Sequence, residues 1–106
     1  MSRVAGPYTL EWDPTAEEEL DQLRSFDARS ILKGIRELRY EAEVTTRNRK
    51  PLREPIAGVP DASWELRVAD HRVLYQVRKH QIVRLLRVIF KGRLTIDEAA
   101  SGSRRE

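Results

Sequence analysis

Apolar positions recur with two different periods along the chain, and each period predicts a different kind of element. The stretch PYTLEW at residues 7–12 alternates as a short strand does, whereas residues 14–25 and 27–43 carry apolar side chains at helical spacing. Asp13 is placed to cap the first helix and Asp27 to cap the second. Because only one or two residues would join the helices, we predict an antiparallel helix hairpin.

Three alternating runs follow the helices, and two short turns separate them. If residues 69–70 form a two-residue turn, Arg67 lies directly opposite Arg72 on the neighbouring strand. If residues 79–80 form the second turn, Arg72 lies opposite Arg87. The alternation therefore predicts an antiparallel meander with three arginines in a row.

This register gives the meander two different faces. The face expected to pack on the helices is almost wholly apolar and contains Trp64, Leu66, Val68, Val73, Tyr75, Val77, Ile82, Leu86, Val88 and Phe90. The opposite face is half apolar and half charged and contains Glu65, Arg67, Arg72, Leu74, Gln76, Val83, Leu85, Arg87, Ile89 and Lys91. We expect its apolar members to be covered by a terminal helix, a partner helix or a self-contact.

The segments before and after the meander complete the predicted fold. Residues 44–62 hold three prolines and four basic residues without a sustained period, which predicts a loop that is either a solvated connector or part of a substrate site. Thr95 and Glu98 are spaced as the capping box of a short C-terminal helix, and residues 101–106 are expected to fray. The expected fold class is α+β, as one domain over residues 1–106 with an ordered core at about 8–99.

Composition narrows the chemistry that this domain can carry. The chain has no cysteine and two histidines, so we expect no disulfide, no bound metal and no cofactor. No apolar run approaches the roughly 18 residues that span a bilayer, and the first residues lack the apolar core of a secretory signal. We therefore expect a cytoplasmic protein without a membrane partner.

Charge is distributed unevenly along the chain. Residues 1–43 carry 6 Lys and Arg against 10 Asp and Glu, a net charge of −4, whereas residues 44–94 carry 12 against 4, a net charge of +8. Such asymmetry favours a polyanion or an acidic protein segment as partner, although a basic surface can also be merely solvated. Like charges opposite one another destabilise a sheet, so the predicted arginine row indicates an anionic ligand unless the chain's own carboxylates neutralise it.

Three stretches resemble the RelE/ParE superfamily of type II toxin–antitoxin toxins. They are KPLR at 50–53, WELRVADHRVLYQV at 64–77 and LLRVIFKGR at 85–93, and the resemblance covers about residues 8–99. It implies a small α+β toxin that a cognate antitoxin neutralises. Members related to RelE cleave mRNA on the ribosome without a metal ion, whereas members related to ParE poison DNA gyrase on the same scaffold.

The resemblance also implies roles for individual residues. RelE-like cleavage uses attack of a 2′-hydroxyl on the neighbouring phosphate, which needs a base, an acid and cations around the phosphorane. Arg72 then stabilises the transition state, Arg67 either does the same or orients the scissile nucleotide, and Glu65 is the candidate base. Contacts to the nucleic acid fall to Lys50, Arg53, Arg87, Lys91 and Arg93.

Two departures from the RelE pattern keep other functions open. Glu65 stands where RelE-like enzymes often carry lysine, and the residues after Arg93 lack the tyrosine or histidine that many of them use. His71, the other candidate for proton transfer, is predicted to face the apolar side of the sheet. Besides an mRNA endonuclease, the sequence is therefore compatible with a gyrase inhibitor or with a degenerate toxin that only binds its antitoxin.

Overall fold

One five-stranded sheet organises the part of the chain that the computed structural model describes, residues 7–102. The elements are β1 (Thr9–Trp12), α1 (Pro14–Asp21), α2 (Ser25–Glu41), β2 (Arg49–Pro51), β3 (Trp64–Val68), β4 (His71–Arg78), β5 (Ile82–Phe90) and α3 (Ile96–Gly102). In space the strands follow the order β1-β5-β4-β3-β2, with β1 parallel to β5 and the other neighbours antiparallel. The predicted α+β class is confirmed, and β2 is a strand within the segment predicted as a loop.

The helix hairpin forms, but its boundaries differ from the prediction. Asp13 caps α1 by accepting a hydrogen bond from the Thr15 amide at 2.9 Å. The second helix begins at Ser25, so the predicted cap at Asp27 is wrong; this carboxylate lies in the first turn, where it faces the positive helix end and pairs with Arg24 at 3.6 Å. Neither these helices nor α3 are long and apolar enough to cross a membrane.

The helices pack on one side of the sheet. Their buried residues follow the predicted helical stripe and meet the inward residues of β3, β4 and β5. The buried members of this core are Ala16, Ile31, Ile35, Leu38, Ala42, Leu66, Val73, Tyr75, Val83, Leu85 and Val88. Burial of this apolar surface is the main force that holds the helix pair to the sheet.

A second apolar cluster covers the other side of the sheet. Leu74 and Ile89 are fully buried there beneath residues of the loop before β3 and of α3. The covering buried residues are Ile56, Val59, Ala62, Ala99 and Ala100. Both halves of the predicted capping box are formed, because the Thr95 amide donates to Glu98 at 3.0 Å and the Glu98 amide donates to Thr95 at 3.1 Å. The terminal helix is therefore the cover that the sequence required; α3 includes residues 101–102, and the rest of the expected tail lies outside the described residues.

The first predicted hairpin register is confirmed and the second is wrong. Arg67 lies opposite Arg72, as the turn at 69–70 requires. The second turn contains three residues, 79–81, so Arg78 faces Ile82. A bulge in β5 then leaves Leu86 without a partner opposite the step from Tyr75 to Leu74 and shifts the pairing again. As a result Arg72 lies opposite Ile89, and the predicted row of three arginines is not formed.

The two shifts also explain which apolar residues change sides. Before the bulge the register is displaced by one residue, so Val83 and Leu85 face the helices instead of the open side. Leu86 lies on the open side in the second cluster. After the bulge the total displacement is two residues, and Val88 and Ile89 keep the sides that alternation predicts.

Candidate nucleic-acid interface

The first hairpin places three charged side chains on the sheet face turned away from the helix pair. Glu65 and Arg67 alternate with Leu66, which lies in the helix-facing core, and Arg72 faces Arg67 across the strands. The turn between them is tight because Ala69 adopts a left-handed backbone conformation with φ of 54°. Short-range strand geometry is thus sufficient to bring the predicted catalytic residues together.

Arg72 is held in one orientation by the strand ends and by Glu65. Its Nη1 donates to the carbonyl oxygens of Ala69 at 3.1 Å and His71 at 2.9 Å, and its Nε lies 3.1 Å from the Glu65 carboxylate. No hydrogen bond within residues 7–102 uses Nη2. Burial lowers the pKa of Arg72 from its ordinary value and repulsion by Arg67 lowers it further, while Glu65 opposes the shift. The guanidinium remains charged and is preorganised.

These side chains form part of a cleft of about 330 Å³. The lining residues are Arg47, Asn48, Arg49, Lys50, Glu65, Arg67, Arg72, Lys91 and Ile96. Among the described residues, Glu65 is therefore the single carboxylate in a cleft that six cationic residues line. The charge of this surface is complementary to phosphate, and its small volume suits one or two nucleotide units rather than a duplex.

Strand β2 supplies one wall of the cleft. Lys50 lies opposite Glu65, and the Arg67 amide donates to the carbonyl oxygen of Asn48 at 2.7 Å. Arg47 and Asn48 occupy a turn closed by two hydrogen bonds between Thr46 and Arg49. The basic segment predicted as a possible substrate site therefore lies beside the arginine pair.

A second groove of about 580 Å³ continues from the cleft and shares three lining residues with it. The shared residues are Lys50, Glu65 and Ile96, and Arg53 lines the far part. The remaining wall consists of proline and aliphatic side chains of the loop together with the carboxylates of Glu54 and Asp97. Together the two grooves make a continuous track with cations at several points.

The structure does not bring two of the expected cations into this track. Arg87 is turned to the open edge of β5, where both oxygens of Glu19 accept hydrogen bonds from it at 2.7 to 3.1 Å. Glu19 also accepts a hydrogen bond from the Val88 amide at 2.8 Å, because Val88 lies beyond the part of β5 that pairs with β1. Arg93 is exposed in the turn after β5 and lines neither groove.

The two histidines and the buried tyrosine all lie outside the cleft. His71 is buried against Phe90 in an edge-on contact with ring centroids 5.4 Å apart, as expected for the apolar face. Tyr75 donates its hydroxyl to the Ala42 carbonyl oxygen at 2.7 Å, and His80 is exposed in the second turn. No cluster of three or more His, Asp or Glu within residues 7–102 could hold a metal ion.

Sequence reasoning named the arginines and lysines but missed how Arg47 and Arg49 enter the site. The signal that could have found them is the run RNRK at 47–50, which concentrates three cations within four residues. Because residues 44–62 show no sustained period, the pairing of β2 with β3 was not apparent in the pattern.

Comparisons with known proteins agree with this architecture. A family model described as the ParE toxin of type II toxin–antitoxin system, parDE, matches residues 10–94. No curated protein matches the chain significantly.

Several solved toxin–antitoxin structures have the same fold. The RelBE2 complex from Mycobacterium tuberculosis is similar with 26% identity and a TM-score of 0.64, over 80% of this chain and 99% of the other. The archaeal RelE–RelB complex from Pyrococcus horikoshii has 23% identity and a TM-score of 0.66, over 82% and 98% of the two chains. The intact RelBE complex of Escherichia coli has 25% identity and a TM-score of 0.54, over 81% and 99%. With its sheet, its helix hairpin and a family model that matches most of its length, this chain belongs to the RelE/ParE superfamily of type II toxins.

Proposed function

We propose that this toxin is a RelE-like mRNA endonuclease that acts on the ribosome and that a cognate antitoxin neutralises. The observation that carries the proposal is the cleft, in which Arg72 is preorganised beside Glu65 and other cations surround the pair. A phosphate in this cleft meets fixed donors, and fixed donors stabilise the extra negative charge of a phosphorane better than mobile ones.

The proposed reaction has balanced proton and bond changes. The 2′-hydroxyl loses its proton to Glu65, its oxygen bonds to phosphorus, and the bond from phosphorus to the 5′-oxygen breaks. The leaving oxygen takes a proton from Lys50 or Lys91, the proton-bearing amines of the cleft. Arg72 and Arg67 stabilise the charge on the phosphoryl oxygens, and Arg53 binds a neighbouring phosphate. Arg93 can join only where the RNA extends past the cleft, and we assign no RNA contact to Arg87 because Glu19 holds it.

A second candidate is inhibition of DNA gyrase, as the family model's ParE members imply. It is favoured by one observation: neither groove is lined by a histidine or a tyrosine, the groups that commonly transfer protons in ribonucleases of this kind. In that case the same cationic surface binds its target without chemistry.

An antitoxin is the proposed protein partner because similar folds occur in complexes of RelE with RelB. Expression of the toxin together with the short reading frame encoded beside it is expected to restore growth. Co-purification of the two proteins at a fixed ratio tests the interaction directly.

The decisive experiment compares the wild type with Arg72→Ala after induction in growing cells. We expect new 5′ ends within translated mRNA for the wild type and none for Arg72→Ala, with Arg78→Ala as a control arginine on the same strand but outside the cleft. Supercoiling by purified gyrase is measured in parallel. Intact transcripts with blocked supercoiling would replace the first proposal by the second. Intact transcripts with normal supercoiling would indicate a degenerate toxin.

A further inference from the structure

Arg49 is a buried arginine in the edge strand of the sheet, and its contacts reach across to a helix. Its Nη1 donates to the carbonyl oxygens of Glu41 at 3.0 Å and Val44 at 2.9 Å. Its Nη2 lies 3.3 Å from the Glu41 carboxylate and 3.6 Å from that of Glu37, and only 4% of the side chain is exposed. A single guanidinium thus connects β2 to the C-terminal end of α2.

The end of α2 is a suitable anchor because the last carbonyls of a helix have no partner within it. Arg49 donates hydrogen bonds to two carbonyl oxygens in this region, and the Tyr75 hydroxyl donates one to the Ala42 carbonyl oxygen at 2.7 Å. A cation at this position also interacts favourably with the negative end of the helix dipole. The sheet therefore holds the helix end at two points, from β2 and from β4.

The segment that Arg49 anchors has few other attachments. Strand β2 contains three residues and lies at the edge of the sheet, a place where strands fray most readily. Thr46 and Arg49 exchange backbone hydrogen bonds at 2.8 and 3.2 Å, and this closed turn carries Arg47 and Asn48 at its tip. Lys50 is the next residue of the strand and turns to the opposite side, beside Glu65. Release of Arg49 would leave both flanking cations without a fixed position.

Stability alone does not account for an arginine at this position. The Nε of Arg49 is buried without a hydrogen-bond partner among the described residues. Such a donor is unfavourable, and buried ion pairs often contribute no more stability than well-packed apolar residues of similar volume. The contacts are better explained by the placement of the neighbouring side chains.

We propose that Arg49 is a positioning residue, which holds residues 46–50 against the C-terminal end of α2 and so fixes Arg47 and Lys50 at the wall of the cleft. The inference rests on the proposed function for its ligand, a single RNA strand. The anchoring itself is independent of what the cleft binds.

The test uses three variants of the full chain: Arg49→Met, Arg49→Lys and Arg84→Met. Arg84 is the control, because it is half-buried in the sheet and, like Arg49, pairs with two carboxylates, those of Asp13 at 3.3 Å and Glu11 at 3.5 Å, but lines neither groove. The probe is a short RNA with 2′-O-methyl groups, which binds but cannot be cleaved. Three quantities are measured: affinity for this RNA, amide hydrogen exchange at residues 46–50, and stability in denaturant.

For Arg49→Met we expect about tenfold weaker RNA binding, in line with the cost of misplaced binding groups, and faster exchange at residues 46–50. Arg49→Lys keeps the charge but places its donors on a single nitrogen without the planar fork of the guanidinium, so about threefold weaker binding is expected. Arg84→Met should change neither quantity. Denaturant stability serves to confirm that each variant is folded when binding is measured.

Two results would overturn the positioning role. One is unchanged exchange at residues 46–50 in Arg49→Met, which would show that the segment does not depend on this side chain. The other is an equal loss of affinity in Arg49→Met and Arg84→Met, which would indicate a general effect of lost charge. If the wild type binds no RNA, the proposed function fails, and the exchange measurement alone then decides the role of Arg49.

Discussion

Glu65 is an acidic residue in a cleft whose other charged residues are all cationic. It lies opposite Lys50, pairs with Arg72 at 3.1 Å and is largely buried, with 13% of its side chain exposed. This carboxylate occupies the region that an incoming phosphate would need. If it also accepts the proton of the 2′-hydroxyl, it hinders binding and promotes cleavage at the same time.

Glu65→Gln is therefore expected to have opposite effects on the two steps. Loss of the negative charge should strengthen binding of the 2′-O-methyl RNA about three- to tenfold. Loss of the base should slow cleavage of the unmodified RNA by about 100-fold or more. Glu11→Gln is the matched control, because Glu11 also pairs with arginines of the sheet but lies away from the cleft. Equal binding by Glu65→Gln and the wild type would contradict the overlap with phosphate.

Tyr75 gives the fold a dependence on alkaline pH. Burial raises its pKa well above the ordinary value near 10; Arg49 opposes the shift and Glu43 adds to it. Because the folded protein holds this proton more tightly than the unfolded chain, the stability contribution is complete below about pH 10 and is lost as pH rises toward the folded pKa.

Tyr75→Phe should accordingly be less stable at neutral pH and less sensitive to base. At pH 7 we expect a loss of about 1 to 2 kcal/mol, because the Ala42 carbonyl loses its buried partner. Between pH 10 and 12 the free energy of unfolding should fall less steeply than in the wild type, by up to about 1.4 kcal/mol per pH unit. Denaturant titrations at each pH measure both effects, with the exposed Tyr40→Phe as control. Identical slopes for the wild type and Tyr75→Phe would refute the assignment.

At the scale of elements, the turn after β5 depends on a glycine for two separate reasons. Gly92 has φ of +50°, and a Cβ built there would lie 2.9 Å from the Phe90 ring. Gly58 also has a positive φ, +83°, but a Cβ there would meet nothing within 4 Å. The two glycines thus separate the cost of backbone conformation from the cost of a steric clash.

Gly58→Ala is expected to destabilise the protein by about 1 kcal/mol and Gly92→Ala by about 1.5 to 2 kcal/mol, because the Phe90 ring is exposed and moves away at the expense of its contact with His71. In a Phe90→Ala background the cost of Gly92→Ala should fall to that of Gly58→Ala, because the ring is absent. Denaturant unfolding of the single and double variants gives the coupling energy between positions 90 and 92. A cost of Gly92→Ala that does not depend on Phe90 would show that the clash is relieved in another way.

The elements also show which information the sequence contained. The β3–β4 hairpin was predictable because a two-residue turn and strict alternation leave one register, so Arg67 and Arg72 could be placed as neighbours. The β4–β5 hairpin was not, because Leu85 and Leu86 are both apolar and either side of the sheet accepts them, so the pattern does not reveal the bulge. The contribution of Arg49 was hidden for a different reason. It depends on β2 pairing with a strand that follows after a twelve-residue connection, which local periodicity does not report.

The uneven distribution of charge along the sequence places the basic residues of the cleft on one side of the folded protein. The basic residues 44–94 supply every cation that lines the cleft, while the helix hairpin α1–α2, on the opposite side of the sheet, belongs to the acidic part of the sequence, residues 1–43. Glu19 and Glu11 of the acidic half pair with arginines at the β5 side of the sheet and neutralise them there. In the cleft, Arg49 and Arg72 are paired with carboxylates, but Arg47, Lys50, Arg67 and Lys91 have no ion pair among the described residues. Their positive charge orients an approaching polyanion toward the cleft.

This concentration of charge predicts the salt dependence of RNA binding. The logarithm of the association constant for 2′-O-methyl RNA should fall linearly with the logarithm of salt concentration, by about 0.7 for each phosphate that the cleft neutralises. Arg67 is exposed, lines the cleft and has no ion pair among the described residues, so Arg67→Ala should reduce the slope by about 0.7. Arg78→Ala removes the same charge where Glu11 already pairs with it, and should leave the slope unchanged. Titrations at four salt concentrations measure both slopes. Equal slopes for the two variants would mean that RNA binds through the net charge of the protein and not through the cleft.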